Sequence, residues 1–169
     1  MRVKKIVGDL LEFARGREPH FRELELNNLI SSVYARVSSI MDTGEIRFFL
    51  DSDPDGILIE ADALQLEQVF INLITNAVEA MSGKGELRIT VEPGNDPVTI
   101  RVSDSGKGMS RDTAEKIFEP FFTTKEKGTG LGMAIVFSIV QKHNGSIRVE
   151  SEEDAGSVFV ITLQRKREA

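Results

Sequence analysis

The sequence lacks several residue types, and each absence removes a class of structure or function. None of its 169 residues is cysteine or tryptophan. Without cysteine, disulfide bonds and thiolate sites are excluded, which is typical of a protein from a reducing compartment. No apolar run approaches the ~20 residues that span a bilayer, and no signal peptide is evident. We therefore expect a cytoplasmic segment that does not itself enter a membrane, whether its parent is membrane-anchored or soluble.

Positive charge is also in short supply. The chain has 21 lysines and arginines against 27 aspartates and glutamates, a net charge of −6. Because phosphate contacts along a nucleic acid need a basic surface, this balance argues against nucleic acid as the main partner. A polyanionic ligand would have to be held by local groups. The length allows one core of moderate size with a short appendage.

The usual phosphate-binding loop, Gly-x-x-x-x-Gly-Lys-Ser/Thr, is absent, yet glycine is concentrated in one stretch. Five of the 14 glycines lie between Gly106 and Gly132. Glycine allows a backbone to approach a ligand closely. The last three, Gly128, Gly130 and Gly132, open an apolar helix, whose N-terminal end favours an anionic group. They lack the preceding strand and the spacing of a dinucleotide fingerprint.

Two asparagines, Asn72 and Asn76, lie one helical turn apart in a segment with a strong apolar face. That face comprises Leu66, Val69, Phe70, Leu73, Ala77 and Ala80. Asparagine is a mediocre helix former, so two in register suggest a role for their amides. Amide oxygens suit Mg²⁺, which usually arrives with substrate phosphates. A solvated or internally satisfied amide pair is the alternative from this segment alone.

Periodicity and turn residues predict an α/β (α+β) domain. We expect helices at 26–41, from Asp62 to Ser82, and from about 133 to 140. Short strands are expected near 46–50, 57–60, 86–92, 97–103, 146–151 and 157–164. The hairpin-like pairs at 86–103 and 146–164 imply antiparallel neighbours. This pattern favours a two-layer sandwich in which helices cover one face of a mixed sheet.

Four segments, in order, resemble the N, G1, F and G2 boxes of sensor histidine kinases. They are Asn72-Leu-Ile-Thr-Asn76-Ala, Asp104-Ser-Gly-Lys-Gly108, Phe118-Glu-Pro-Phe121-Phe122 and Gly128-Thr-Gly-Leu-Gly132. The residues within these motifs are most similar to those of kinases of the nitrogen-regulation and sporulation type. The resemblance covers roughly residues 45–165. It implies the Bergerat-type ATP-binding fold of the gyrase, chaperone, histidine kinase and mismatch-repair ATPase superfamily, with ATP and Mg²⁺ as cofactors.

The resemblance also implies roles for particular residues. Asp104 would accept a hydrogen bond from the adenine amino group, with Gly106 and Gly108 passing close to the base. Asn76 would be the Mg²⁺ ligand, with Asn72 beside it near the phosphates, and Lys125 would neutralise phosphate charge. The nucleotide-binding set is completed by Phe118, Phe121, Gly128, Thr129, Gly130, Leu131 and Gly132. Residues 105–128 would form a mobile lid, with its phenylalanines as apolar anchors and Lys127 as a second cation.

Position 72 bears on the reaction. The gyrase-like and mismatch-repair ATPases carry a water-activating glutamate there, whereas an asparagine cannot accept a proton. Because general-base assistance is worth ~10²–10⁴-fold, slow hydrolysis is expected. The resemblance therefore implies transfer of the ATP γ-phosphoryl group to a histidine, for relay to a response regulator receiver domain. An ATPase or protein-serine kinase, and a nucleotide-binding module without catalysis, stay open as alternatives.

The N-terminal segment resembles part of another domain. Residues 1–16 are similar to the second helix of the dimerisation and phosphoacceptor hairpin, 17–25 would be a linker, and 26–169 the catalytic ATP-binding domain. His20 lacks the family's His-Glu-x-x-Asn-Pro pattern and is expected at the surface, and His143 precedes a helix C-cap signal, with a favourable contact to the helix dipole. We expect the first helix of this hairpin, with its phosphorylatable histidine, to be missing from these residues. The full-length protein would be a homodimer, and this fragment a monomer or weak dimer.

Overall fold

The computed structural model describes residues 18–92, 96–126 and 128–166. Along these ranges the elements are β1 (Arg22–Glu25), α1 (Leu26–Ile40), β2 (Glu45–Asp51), β3 (Leu58–Ala61), α2 (Ala63–Met81), β4 (Lys84–Glu92), β5 (Val98–Asp104), α3 (Arg111–Lys116), α4 (Gly132–Lys142), β6 (Ser146–Glu152) and β7 (Gly156–Leu163). The helix expected at 1–16 lies outside the described residues. Within them, no helix has both the length and the apolar character needed to cross a membrane.

Five strands form the main sheet, in the order β2-β4-β5-β7-β6. The first pair, β2 and β4, is parallel, and the other three pairs are antiparallel. The connection from β2 to β4 passes through α2, as a parallel pair requires a crossover. The mixed sheet and both antiparallel hairpins expected from the sequence are confirmed.

The long helices cover one face of this sheet and enclose a single core. In β4 the alternating Leu87, Ile89 and Val91 are buried beneath the helices, and Phe70 of α2 is among the largest fully buried side chains. The other face of the sheet carries charged side chains. There Arg88 lies over the Phe49 ring at 4.4 Å and pairs with Asp51 and Glu86. The alternation of apolar and polar residues thus decides which face the helices cover.

Helix α2, which bears both asparagines, begins and ends as its sequence predicts. The Asp62 carboxylate accepts a hydrogen bond from the Gln65 backbone N–H at 3.0 Å, the usual role of an N-cap residue. At the other end Ser82 adopts a left-handed conformation (φ 52°), followed by Gly83 at φ 87°. These caps fix the length of the helix, and therefore where its asparagines lie relative to the sheet.

Two elements had no clear signal in the sequence. The strand β1 lies in the segment expected as linker and pairs antiparallel with β3 in a separate two-stranded sheet. The short helix α3 lies inside the expected lid, capped by the Ser110 side chain. In α1, Leu26 is buried in the core, and Leu29 is half-buried and packs against it. Short elements such as these are decided by tertiary pairing, which periodicity over a few residues does not report.

Candidate functional site

Asn72 connects the N-box helix to the helix that follows the last glycine group. Its amide nitrogen donates to the Gly132 carbonyl at the start of α4, at 3.0 Å. Its amide oxygen accepts from the Gln68 side chain, one turn back along α2, at 3.3 Å. With both ends of the amide hydrogen-bonded, Asn72 holds α2 and the start of α4 together.

Asn76 lies one turn further along α2 and faces a cation. Its amide oxygen accepts a hydrogen bond from the Lys125 ammonium at 2.7 Å. The same ammonium forms an ion pair with the Glu79 carboxylate. The amide nitrogen of Asn76 points at the Met133 sulfur of α4, 3.1 Å away. Asn76 and Glu79 thus supply two oxygens that converge on one positive charge, and we call this pair the oxygen cradle.

The oxygen cradle fits a divalent cation of the magnesium kind. Asn76 and Glu79 offer hard oxygen donors, and the ammonium between them shows that the position accepts positive charge. Among the described residues, no three His, Cys, Asp or Glu side chains are grouped so that they could hold a metal by themselves. Mg²⁺ commonly takes only one or two protein ligands and completes its shell with water and substrate phosphates. The donor set therefore suits a metal that arrives with a nucleotide.

Asp104 ends β5, and the turn after it packs directly on α2. The Asp104 carboxylate accepts from the Gly106 backbone N–H at 2.8 Å. A β-carbon at Gly106 would lie 2.8 Å from the Ala80 carbonyl oxygen, so only glycine fits this approach. The Lys107 N–H then donates to the same carbonyl at 3.2 Å. Since Ala80 is one turn beyond Asn76, α2 brings the Asp104 turn close to the oxygen cradle.

The environment of Asp104 favours its protonated form more than water does. Burial raises the pKa of this carboxyl above its ordinary value of 3.8, and hydrogen bonds from the Gly106 and Ser157 backbones offset part of that rise. None of the ion pairs among the described residues includes Asp104. A half-buried carboxyl that has no cationic partner is suited to accept a hydrogen bond from a ligand.

The first half of the expected lid is fastened to the β6–β7 hairpin. Gly108 has φ +64°, and a β-carbon there would lie 1.8 Å from the Glu152 carbonyl oxygen. The Met109 N–H donates to the Ser151 hydroxyl at 2.9 Å, and the Asp154 N–H donates to the Lys107 carbonyl at 2.7 Å. These contacts join the G1 turn to the sheet, so residues 105–109 are not a free loop.

The phenylalanines of the F box do two different things. The Phe118 ring packs against Phe137 of α4 and Phe159 of β7, with centroids 5.8 and 6.4 Å away. The Phe121 side chain is 64% exposed, so the expectation of an apolar anchor is wrong at this position. Its backbone makes the contact instead, because the Phe121 N–H donates to the Gly130 carbonyl at 2.9 Å.

The last glycine group is shaped by close contact with the F box. Gly130 has φ +70°, and a β-carbon there would lie 2.3 Å from the Phe121 carbonyl carbon. The Thr129 hydroxyl accepts from the Leu131 N–H at 3.4 Å, and the Leu131 side chain is buried. Gly128 donates its N–H to the Lys125 carbonyl at 3.0 Å. Lys127 lies outside the described residues.

Most of the site residues expected from sequence are brought to α2 and its neighbours, and one important residue was missed. The sequence assigned no role to Glu79, yet it pairs with the lysine that contacts Asn76. Its spacing of three residues from Asn76 places the two side chains on one face of the helix, and that spacing is a usable signal. The contact between Lys125 and Asn76 could not be read from the sequence, because the two residues lie 49 positions apart along the chain.

A family profile described as histidine kinase-, DNA gyrase B- and HSP90-like ATPase matches residues 61–167. Among curated proteins, the sensor histidine kinase ZraS of Escherichia coli is 38% identical over 96% of this chain and 35% of its own length. Sporulation kinase A of Bacillus subtilis is 38% identical over 98% of this chain and 27% of its own length. The chain therefore spans about a third of the length of these relatives.

Solved structures show the same similarity. The catalytic domain of histidine kinase ThkA is 38% identical, with a TM-score of 0.78 over 87% of this chain and 97% of that domain. A structure of ThkA in complex with the response regulator protein TrrA aligns with a TM-score of 0.82 at 34% identity, over 97% of this chain and 47% of that one. Full-length ShkA, crystallised with AMPPNP, gives 0.84 at 27% identity, over 98% of this chain and 36% of that one.

Proposed function

Since the chain belongs to the histidine kinase-, DNA gyrase B- and HSP90-like ATPase family, we propose that it is the ATP-binding catalytic part of a sensor histidine kinase. It binds ATP with Mg²⁺ and transfers the γ-phosphoryl group to a histidine on a dimerisation hairpin. The phosphoryl group then passes to the receiver domain of a response regulator. The contact between Asn76 and Lys125 carries this proposal, because it unites an oxygen ligand with a cation from a distant loop in one site.

Each part of the nucleotide has a matching group. The Asp104 carboxyl accepts from the adenine amino group, a directional contact that distinguishes adenine from guanine. Gly106 and Gly108 allow the backbone to pass close to the base. The glycines at 128, 130 and 132 allow the phosphates to approach the N-terminal end of α4, where backbone N–H groups favour an anion. Asn76 is the metal ligand from this chain, and bound Mg²⁺ would neutralise charge on the phosphate oxygens.

The residues near the phosphates position the reaction and do not activate water. Asn72 uses its amide to join α2 and α4, and it has no carboxylate with which to take a proton. Lys125 stabilises charge that develops on the transferred group, which is the main protein contribution in phosphoryl transfer. An acceptor histidine is already nucleophilic as its neutral imidazole, so this arrangement favours a histidine acceptor over water or serine.

The partners follow from the same proposal. Residues 1–16 belong to the hairpin, strand β1 already belongs to the catalytic part through its pairing with β3, and the parent protein is a homodimer. The similar kinase ThkA has been crystallised with a response regulator protein, which supports a receiver domain as the final acceptor. The hairpin and the receiver domain are the two features that set this function apart from a plain ATPase.

A transfer assay tests the proposal. Residues 1–169 are incubated with γ-labelled ATP and Mg²⁺, with and without a separate hairpin fragment that carries a histidine in the His-Glu-x-x-Asn-Pro pattern. We expect slow, acid-labile labelling of the hairpin fragment and negligible labelling of the chain itself. The rate should be low because a separate acceptor lacks the effective concentration of a tethered one.

The variant Asn76→Ala serves as the matched test of the site. It should abolish labelling of the hairpin while the circular dichroism spectrum and melting temperature stay near those of the wild type, because Asn76 is not a core residue. Acid-labile phosphate on His20 or His143 of the isolated chain would contradict the proposal. Steady release of inorganic phosphate without a hairpin would favour the ATPase alternative, and binding without any transfer would favour a non-catalytic module.

A further inference from the structure

Lys125 is held by an acidic residue that the proposed phosphate chemistry does not require. A lysine that only neutralised phosphate could extend freely into solvent before the nucleotide arrives. Here its ammonium contacts both Asn76 and Glu79, although the Lys125 and Glu79 side chains are 43% and 42% exposed. The contact crosses from α2 to the loop between the F box and the last glycine group, so it fixes the position of that loop.

The amide oxygen of Asn76 can bind either of two cations, but only one at a time. In the described arrangement its amide oxygen is hydrogen-bonded to the Lys125 ammonium at 2.7 Å, and this oxygen is the one proposed for the metal. A divalent ion that uses the same oxygen must replace the ammonium there. Glu79, three residues along the same helix face, supplies the negative charge that makes either cation favourable.

We propose that Glu79 is a positioning residue which, with Asn76, holds one cation at the entrance to the nucleotide site, and that this cation changes on binding. Without nucleotide, the cation is Lys125, and the loop from 121 to 126 is held against α2. When the nucleotide and its metal arrive, the metal replaces Lys125 at the oxygen cradle and Lys125 turns to the phosphates. This inference rests on the proposed function and adds to it the residue that controls the exchange.

The carboxylate also explains why a metal should be needed for tight binding. With Lys125 drawn toward the phosphates, Glu79 would face a polyanion across the oxygen cradle, and like charges at such short range repel. A divalent ion removes that repulsion. Glu79 therefore weakens binding of metal-free nucleotide and favours binding of metal-nucleotide, and these opposite effects separate a positioning role from a merely structural one.

Nucleotide affinity with and without metal tests the inference. The dissociation constant of ADP is measured by calorimetry in Mg²⁺ and in EDTA, for the wild type and for Glu79→Gln. The dissociation constant in EDTA divided by that in Mg²⁺ should fall roughly two- to fivefold in the variant, the range expected for a partly exposed charge pair. It falls because the variant binds metal-free ADP more tightly. Glu67→Gln is the matched control, since Glu67 is on the same helix but pairs with Arg36 of α1.

Hydrogen exchange of the nucleotide-free protein gives a second readout. Glu79→Gln and Lys125→Met should each speed exchange in residues 121–126, and the double variant should be no faster than Lys125→Met alone, because Lys125→Met already removes the contact with Glu79. An unchanged metal ratio in Glu79→Gln, or additive effects on exchange, would overturn the inference. If the wild type binds no nucleotide at all, the proposed function fails instead, so the two failures are distinguishable.

Discussion

Asp104 shows how a single residue can carry function at a cost to stability. Its carboxyl is half-buried and its pKa is raised by that burial. Since the pKa in the folded state lies above the value of 3.8 in the unfolded chain, the folded state binds a proton more readily. Stability is therefore lost as the pH rises through the folded pKa, and the ionised carboxylate is a liability at neutral pH.

The substitution Asp104→Asn should consequently separate binding from stability. The amide oxygen can still accept from the Gly106 N–H, so the turn survives, while the desolvated charge is removed. We expect ADP affinity to fall by about 1.5–3 kcal/mol, the value of a charge-assisted hydrogen bond, and the melting temperature at pH 7 to stay equal or rise. Calorimetry and thermal denaturation measure the two effects. Unchanged affinity would remove Asp104 from the adenine contact.

At the scale of single residues, the sequence predicts which residues have a functional role, but it does not predict which residues they contact. The four motifs identified Asn72, Asn76 and Asp104 because each has an unusual side chain on a regular element. The ion pair between Glu79 and Lys125 joins residues 46 positions apart along the chain, and no local pattern reports such a pair. Phe121 illustrates the opposite error, because an apolar side chain in a motif was expected inside and lies outside.

At the level of elements, the glycine-rich stretch is two segments with different attachments. Residues 105–109 are bonded to the β6–β7 hairpin and α2, and α3 follows them. Beyond Phe118, the Phe121–Gly130 backbone hydrogen bond and the Lys125 side chain attach the chain to its neighbours. A lid over 105–128 was expected, and its boundaries stay a prediction. The unequal attachment leads us to expect that motion concentrates in residues 119–126.

Gly130→Ala tests that division. A β-carbon at Gly130 would collide with the Phe121 backbone, and φ +70° strains any other residue. We expect faster hydrogen exchange in residues 119–126 without nucleotide, little change in 105–109, and weaker binding of an ATP analogue. Gly83→Ala is the control, because Gly83 also has a positive φ of +87° but no atom lies within 4 Å of the place that a β-carbon would take there. Equal acceleration over both segments would mean that the lid is one unit.

The helices and the main sheet followed from the sequence because their signals are long and repeated. The apolar stripe of α2 runs over 19 residues with a cap at each end, and the alternation in β4 decides which face meets the core. The small sheet of β1 and β3 did not follow. Its strands are four residues each, and a strand this short is stabilised by its partner more than by its own pattern.

Across the whole molecule, one buried histidine ties three distant segments together. The His143 Nε2 accepts the Asp62 backbone N–H at 3.1 Å, where α2 begins, and its Nδ1 lies 2.9 Å from the Ile139 carbonyl of α4. The Asp62 carboxylate accepts in turn from the His20 backbone N–H at 2.8 Å. The sequence predicts a helix end next to His143, and α4 does end at Lys142, but the contact of His143 with the start of α2 was not predicted.

This arrangement keeps His143 neutral, because Nε2 must be an acceptor. Burial lowers its pKa below the ordinary value of 6.5, while the Ile139 carbonyl and the nearby Asp62 charge act in the opposite direction. Two other titratable residues lie near this contact: His20, which is exposed, and Lys142, which precedes His143 in the chain and is half-buried. Since the folded pKa is depressed, the unfolded chain takes up a proton first as the pH falls. Stability is then lost below about pH 6.5 and falls until the folded pKa is reached.

The predicted result is a decrease in the free energy of unfolding as the pH falls through the ordinary histidine pKa of 6.5, above the range where most carboxyls titrate. Each unit of depression in the pKa of His143 corresponds to about 1.4 kcal/mol. His143→Gln should remove this slope, since glutamine keeps an acceptor for the Asp62 N–H and does not titrate. His20→Gln is the control, because the chain has only these two histidines and His20 uses its backbone in the contact. Urea denaturation at several pH values measures the slope of unfolding free energy against pH. A slope that disappears in the His20 variant but persists in the His143 variant would contradict the assignment to His143.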